Sequence, residues 1–380
     1  MRWIAGLRTF LTAAALLALA PAVAHADIRA FNAAMQVKDY KQATAEAAST
    51  WASLDKTRPD LAVIAREFGM AAYLAGDYAA ARSYGEAAVA TGETVNEGKS
   101  EKIASEVLLR ISEHQLTPSD ATRDKLFAAL RASATLPGID LLSYLGATAM
   151  VSYDIEQGHW RSARTSAGLA EKLTGQGGQG YASSNLQFAM IAAVSAFSLE
   201  RDVAAFERVD AVYSRIVDAI NTAPTAERAA GLVQTYWDLY AWGTSAETFL
   251  AENRQFKLYK ARVGPDPVID YTTPGGKLIA RQDPNACIAV VADGSPRPIF
   301  PPYAAMKGMI GAVILKLDIA ADGRVLDADV LAAAPARYFG DSAIKSALQM
   351  KFMAGETSLP GCSLAQTDRI FTFVFQLRER

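Results

Sequence analysis

The sequence predicts a chain of two domains, an all-α array of helical hairpins followed by a small α+β domain built on an antiparallel sheet and one main helix. Three observations carry this. From Asp27 to about residue 252 the chain is rich in Ala, Leu, Glu, Arg and Lys, and its apolar residues recur every three or four positions, the mark of amphipathic helices. Between 253 and 285 that period dissolves around Pro265, Pro267, Pro274, Gly275 and Gly276, the composition of a linker. From 286 to 380 apolar residues alternate instead, as in strands with one buried face.

Residues 1–26 read as a secretory signal peptide: Arg2 and Arg8, an apolar stretch from Phe10 to Ala20, Pro21, then Ala24-His25-Ala26. The apolar stretch is about half of the roughly 20 residues a spanning helix needs, so cleavage after Ala26 and release into the periplasm are expected. The alternative is an uncleaved anchor on the inner membrane, facing the periplasm. Cleavage removes two arginines and no acid, leaving 36 Lys+Arg against 40 Asp+Glu. That acidic balance argues against nucleic acid, which must have its phosphates neutralised. No later segment is expected to span a membrane; the best, from Phe188 to Phe197, reads as a buried helix.

Cys287 and Cys362 are the only cysteines, and in an exported chain a disulfide is the default for such a pair. A metal site would need further ligands, and after cleavage only His114 and His159 remain, far from both cysteines in sequence. Neither metal nor other cofactor is expected. Closing a loop of this length would stabilise the fold by about 4–5 kcal/mol on the loop-entropy account.

The clearest helical unit runs from Gly69 to Ala88, with small residues at Gly69, Ala72, Ala81 and Ala88 and a turn at Gly76-Asp77-Tyr78. It resembles the tetratricopeptide repeat. Echoes occur at Asp39-Tyr40 with Ala43, at Gly158-His159-Trp160 with Ala163, and at Arg201-Asp202-Val203 with Phe206, at uneven spacings longer than the standard repeat. The whole is a degenerate solenoid of that kind, or an ordinary helical domain with one good hairpin; a solenoid would serve to bind peptides or proteins. Tyr236, Trp237, Tyr240 and Trp242 read as core, with a partner anchor as the alternative. The run 175–180, Gly-Gln-Gly-Gly-Gln-Gly, lacks the Lys-Ser or Lys-Thr of a phosphate loop.

In the last domain Val313, Leu315, Leu317 and Ile319 share one face of a strand. Asp322-Gly323 supplies a hairpin turn, and 325–331 returns as the second strand. Phe339, Ala343, Ala347 and Leu348 recur at helical spacing, and Phe371, Phe373, Phe375 and Leu377 line one face of a final strand. The sequence Pro298-Ile299-Phe300-Pro301-Pro302-Tyr303-Ala304-Ala305, then Gly308, Gly311-Ala312-Val313, Asp322-Gly323-Arg324-Val325, Phe339-Gly340-Asp341-Ser342-Ala343-Ile344 and Lys351-Phe352, is similar to the TonB C-terminal domain family. The resemblance covers under a quarter of the chain.

That resemblance implies docking beneath an outer-membrane transporter or another envelope protein, whose extended segment pairs with the last strand. The partner-binding residues would be Ile370, Phe371, Thr372, Phe373, Val374, Phe375 and Gln376. About five main-chain hydrogen bonds at roughly 1 kcal/mol each, set against an association cost of at least about 4 kcal/mol, call for a second contact. Three departures stand out: the N-terminal apolar segment is short and lacks the functional histidine of transducing members, a helical body replaces the Pro-rich spacer, and a strand-like segment at 286–292 is added. If the disulfide lays that segment against the sheet, it caps the edge a transporter would use. The expected function is a periplasmic protein-interaction protein. The alternatives are a membrane-anchored TonB-type energy transducer, or a structural scaffold whose TonB-like fold serves for homodimerisation. Catalysis is not expected: Gly340-Asp341-Ser342 falls at a helix start, where Asp and Ser are ordinary caps, and no histidine accompanies it for a triad.

Overall fold

The computed structural model describes residues 28–94, 98–252, 268–279, 286–292, 295–356, 358 and 360–376; residues 1–26, expected to be a signal peptide, and Leu377 lie outside the described residues. Contacts gather into two compact units, one ending at Phe188 and the other beginning at Ala189. The first is a run of helices: α1 (Arg29–Gln36), α2 (Tyr40–Ser53), α3 (Leu61–Ala75), α4 (Tyr78–Thr94), α5 (Lys99–Leu116), α6 (Asp120–Ser133), α7 (Leu141–Glu156) and α8 (Trp160–Gly175). Each packs on the next in sequence, the nearest-neighbour arrangement of helical repeats.

The hairpin turns explain the repeated sequence signal. Lys38, Gly76 and Gly158 all adopt positive φ (60°, 82° and 71°), and the next residue, Asp39, Asp77 or His159, returns its N–H to the helix five residues back. This is a helix-ending Schellman turn. Asp39 and Asp77 then accept from Gln42 N–H and Ala80 N–H, both at 3.0 Å, and so start the following helix. Four residues after Asp39, Asp77 and His159 stand Ala43, Ala81 and Ala163, all fully buried. Arg201-Asp202, with Arg201 at φ 48° and Asp202 accepting from Ala205 N–H at 2.7 Å, repeats the left-handed residue and the Asp cap in the second unit, followed by the buried Phe206.

Polar residues tie the middle of this unit together. Arg123 donates to Asp154 Oδ2 at 2.9 Å, and Asp154 is 1% exposed. His114 is buried against the Tyr153 ring and 3.1 Å from Thr122 Oγ1, and burial holds its pKa below the usual histidine range. Tyr153 donates to Asp120 Oδ1 at 3.0 Å, and His159 Nδ1 lies 3.7 Å from the same oxygen. The two histidines are therefore linked through Tyr153 and Asp120. Among the described residues, however, no group of three His, Cys, Asp or Glu is arranged to hold a metal ion.

The Gly-rich run at 175–180 ends α8 and enters a 3₁₀ turn, Gly178–Tyr181, before α9 (Ala182–Glu200). The stretch Gly178–Glu200 is long and apolar enough, by length and composition, to cross a membrane, which corrects the reading that no later segment is. Its most apolar window is 56% buried inside the protein, with Phe188, Ile191, Val194 and Phe197 in the core.

In the second unit α10 (Val203–Asn221) packs on α11 (Ala226–Glu252). Tyr236, Trp237 and Trp242 are buried and Tyr240 is 37% exposed, so the aromatic cluster is mainly core. Residues 268–279 are folded onto these helices: Asn221 Nδ2 donates to Val268 O at 2.9 Å, Asn221 Oδ1 accepts from Asp270 N–H at 2.8 Å, and Ile269 and Ile279 are buried.

The α+β part comprises β1 (Ala289–Val291), α12 (Pro302–Met306), β2 (Gly311–Ile319), β3 (Val325–Ala334), α13 (Gly340–Ala347), β4 (Phe352–Ala354) and β5 (Gln366–Phe375). An antiparallel sheet runs β3-β2-β5, and β1 and β4 form a second, two-stranded ladder. The expected turn is present, with Gly323 at φ 83°. One face of the large sheet buries Val313, Leu315, Leu317, Ile319, Phe373 and Phe375 with Phe339, just before α13, and Ala343 within it. The opposite face is also buried: Ala312, Ile314, Ala332 and Ala334 are at most 3% exposed, and α11 packs across β2 and β3 there. Gln234 on α11 donates to Leu331 O at 3.1 Å. The β3 strand meets β2 with two register shifts, and its Leu326, Asp327 and Asp329 are exposed.

Burial on α11 pushes the Asp238 carboxyl up to about 7, opposed only by the hydrogen bond from Gln234 Nε2 at 3.0 Å. An unfolded Asp loses its proton near pH ~4, so the unfolded state binds fewer protons than the folded state between ~4 and ~7, and stability falls as pH rises through that window. Urea midpoints measured at pH 4.5 and 7.5 should therefore drop more for the natural chain than for Asp238→Asn, and parallel drops would show that this carboxyl titrates normally.

Candidate functional site

The final strand has one hydrogen-bonded neighbour. Along 369–375 β5 is paired residue by residue with β2, from Leu317↔Arg369 to Gly311↔Phe375. On its other side no strand is paired to 370–375 among the described residues. A β-strand directs every second residue's N–H and C=O to each side, so this flank presents a row of unshared main-chain donors and acceptors.

Alternation sorts the seven predicted partner-binding residues. Phe373 and Phe375 are in the core at 8% and 2% exposure, and Phe371 packs partly buried against the same cluster. Ile370, Thr372 and Gln376 are partly exposed and Val374 is 38% exposed. The strand begins at Gln366, four residues before the alternating pattern announced it, because Thr367 and Asp368 break the period: both stand opposite Asp318, a bulge with Asp368 at φ 55°.

Beside the open flank lies a cleft of about 510 Å³, lined on one wall by Phe371, Phe373, Val374, Phe375 and Gln376 and on the other by Val291, Ala292, Ser295, Pro296, Arg297, Pro298 and Phe300. The second wall cannot pair as a strand through its prolines; serines on α13 hold it instead. Ser346 Oγ donates to Pro296 O at 2.8 Å and Ser342 Oγ donates to Ile299 O. Ser342 was expected to cap its helix. The structure puts Phe339 at the cap, without a side-chain cap bond, and gives the serine this wall-holding role. Inside the cleft mouth Phe300 stacks edge-on against Phe339 and Phe375 at centroid distances of 5.5 and 6.0 Å. Arg297 is exposed at the rim.

Cys287 and Cys362 form a disulfide. The added segment does not lie along the whole of β5: β1 pairs with β4, Val290 opposite Met353. Among the described residues its hydrogen bonds to β5 lie near the strand's start, in the parallel bridge Ala286↔Ser363 just before the strand and in side-chain bonds from Gln366 to Cys287 O (3.2 Å) and Arg369 to Ala289 O (3.1 Å). Sequence reasoning missed β4 altogether, since a strand of three residues shows no period.

No curated protein matches the chain. Residues 296–361 match the family described as Gram-negative bacterial TonB protein C-terminal; the match takes in the proline-rich cleft wall, α12, β2, β3, α13 and β4, and ends before Cys362 and β5. The carboxy-terminal region of this chain is thus a TonB-like C-terminal domain, preceded by repeated helical hairpins that resemble tetratricopeptide repeats.

Proposed function

We propose that this is a periplasmic interaction protein that captures an extended segment of an envelope partner, of the outer-membrane transporter type, by adding it as a strand to β5 along Ile370, Phe371, Thr372, Phe373, Val374, Phe375 and Gln376. The observation that carries the reading is the unpaired flank of β5 beside an aromatic cleft, next to a region matching a family of envelope proteins. Strand addition takes its affinity from main-chain hydrogen bonds and its specificity from pockets for alternate side chains. The helical body supplies the second contact that so few hydrogen bonds require. The domains in this proposal are an export peptide at 1–26, a helical body at 27–252, a linker at 253–285 and the binding domain at 286–380.

A photo-crosslinking amino acid at Val374, in cells, should yield an adduct with an outer-membrane protein, while the same group at Leu326 on the opposite edge strand should not. Equal capture at both positions, or none at Val374, would sink the reading. A scaffold role is the second reading, supported by the use of α11 to cover the far face of the sheet; it expects no adduct at Val374 except with another copy of this chain. Mass spectrometry of the native protein should find an N-terminus at Asp27. An intact Met1 would point to the membrane-anchored transducer instead.

A further inference from the structure

The two halves of β5 present different flanks. Before Ile370 the strand is bulged at Thr367 and Asp368, with Asp368 N–H donating to Asp318 Oδ1 at 3.0 Å and its carboxylate 3.3 Å from Lys316 Nζ. The same stretch is overlaid from outside. Cys287 N–H donates to Ser363 O at 2.9 Å, Gln366 and Arg369 reach across to the Cys287 and Ala289 carbonyls, and the Cys287–Cys362 bond ties the crossing covalently. Farther along, Gly355 N–H donates to Ile288 O at 2.7 Å, fixing the segment to β4's end of the domain. From Ile370 onward no such crossing occurs among the described residues.

Neighbouring strands lie about 4.8 Å apart, so the overlying segment and an incoming strand cannot both occupy the space beside residues 366–369. Building on the strand-addition reading, we infer that the disulfide-held segment 286–291 is a stop that fixes the register of the partner: pairing runs along Ile370–Phe375 and ends at Arg369. The ligand it fits is a short extended protein segment, about six residues in its paired part by the length of the open flank, with apolar side chains on the side that faces the Phe371–Phe373–Phe375 row. A longer strand would run into the Cys287–Cys362 crossing. Bulges and covering segments are the usual means of closing part of a sheet edge; here they close the half of β5 that the cleft does not serve.

The test uses the full chain carrying a benzophenone side chain at either Thr367 or Val374, and as probe a blocked synthetic peptide of about ten residues alternating Val and Thr, a composition that favours the extended state. Label at Val374 should exceed label at Thr367 by at least about tenfold in the natural background. The ratio should fall toward one in Cys287→Ala/Cys362→Ala, and also in Gln366→Ala/Arg369→Ala, which keeps the disulfide and serves if the first variant fails to fold. Equal labelling of both positions in the natural background overturns the stop, as does a ratio unmoved in a folded variant. Labelling at neither position overturns strand addition itself, a distinguishable outcome.

Discussion

Ile314→Asp is expected to destabilise the second unit by more than about 4 kcal/mol, the range reached when a charge is forced into a closed core. Ile314 is fully buried, yet it is absent from the cluster that joins Val313 and Leu315 to α13; it points to the other face of β2, the one under α11. A carboxylate there has no solvent to meet it. Leu326→Asp, on β3 but 63% exposed, is the control and should cost under about 0.5 kcal/mol. Urea unfolding followed by circular dichroism measures both. Similar small losses for the two would mean that α11 does not seal the sheet, and that the α+β domain stands without its helix.

The second large effect is expected at Arg123. Its guanidinium meets Asp154 Oδ2 at 2.9 Å, with further bonds to Asp124 Oδ1 at 2.9 Å and Ser162 O at 3.4 Å. Arg123→Met keeps the packing of the stem but leaves the Asp154 carboxylate, 1% exposed, without its cation, and breaking a buried pair from one side costs about 3–5 kcal/mol. Removing both charges in Arg123→Met/Asp154→Leu should recover most of that loss, because the penalty lies in the orphaned charge more than in the lost attraction. If the double variant is as unstable as the single, the pair contributes through geometry that neither side chain alone retains.

These two sites also show what sequence could and could not disclose. The helical body was legible because its grammar is local: a left-handed residue, a capping Asp, and a buried Ala four positions on lie within one turn of chain, so Gly76-Asp77 and Ala81 declare a hairpin without any distant partner. The sheet order was legible for β2 and β3, joined by the tight turn at Gly323. The cover by α11 was written more faintly. Ala312-Val313-Ile314-Leu315 is an unbroken apolar run, as expected of a strand buried on both faces, but nothing in it says which helix supplies the second face. The β1–β4 ladder pairs two three-residue strands far apart in sequence, too short for any period to register. Likewise the pairing of Cys287 with Cys362 follows from counting, whereas the bulge at Asp368 does not, because no pattern foretells that residue's positive φ.

The unlike borders of the β3-β2-β5 sheet bear on how copies of this molecule behave when crowded. Along β3 two register shifts and the acids Asp327 and Asp329 spoil any ladder that a neighbour tries to build. Growth into threads needs docking on both sides of every unit, and here one side refuses. Two copies meeting through β5 would each consume the other's open β5 flank, so self-association ends in a closed pair that is, by the same token, blind to any other guest at that strand.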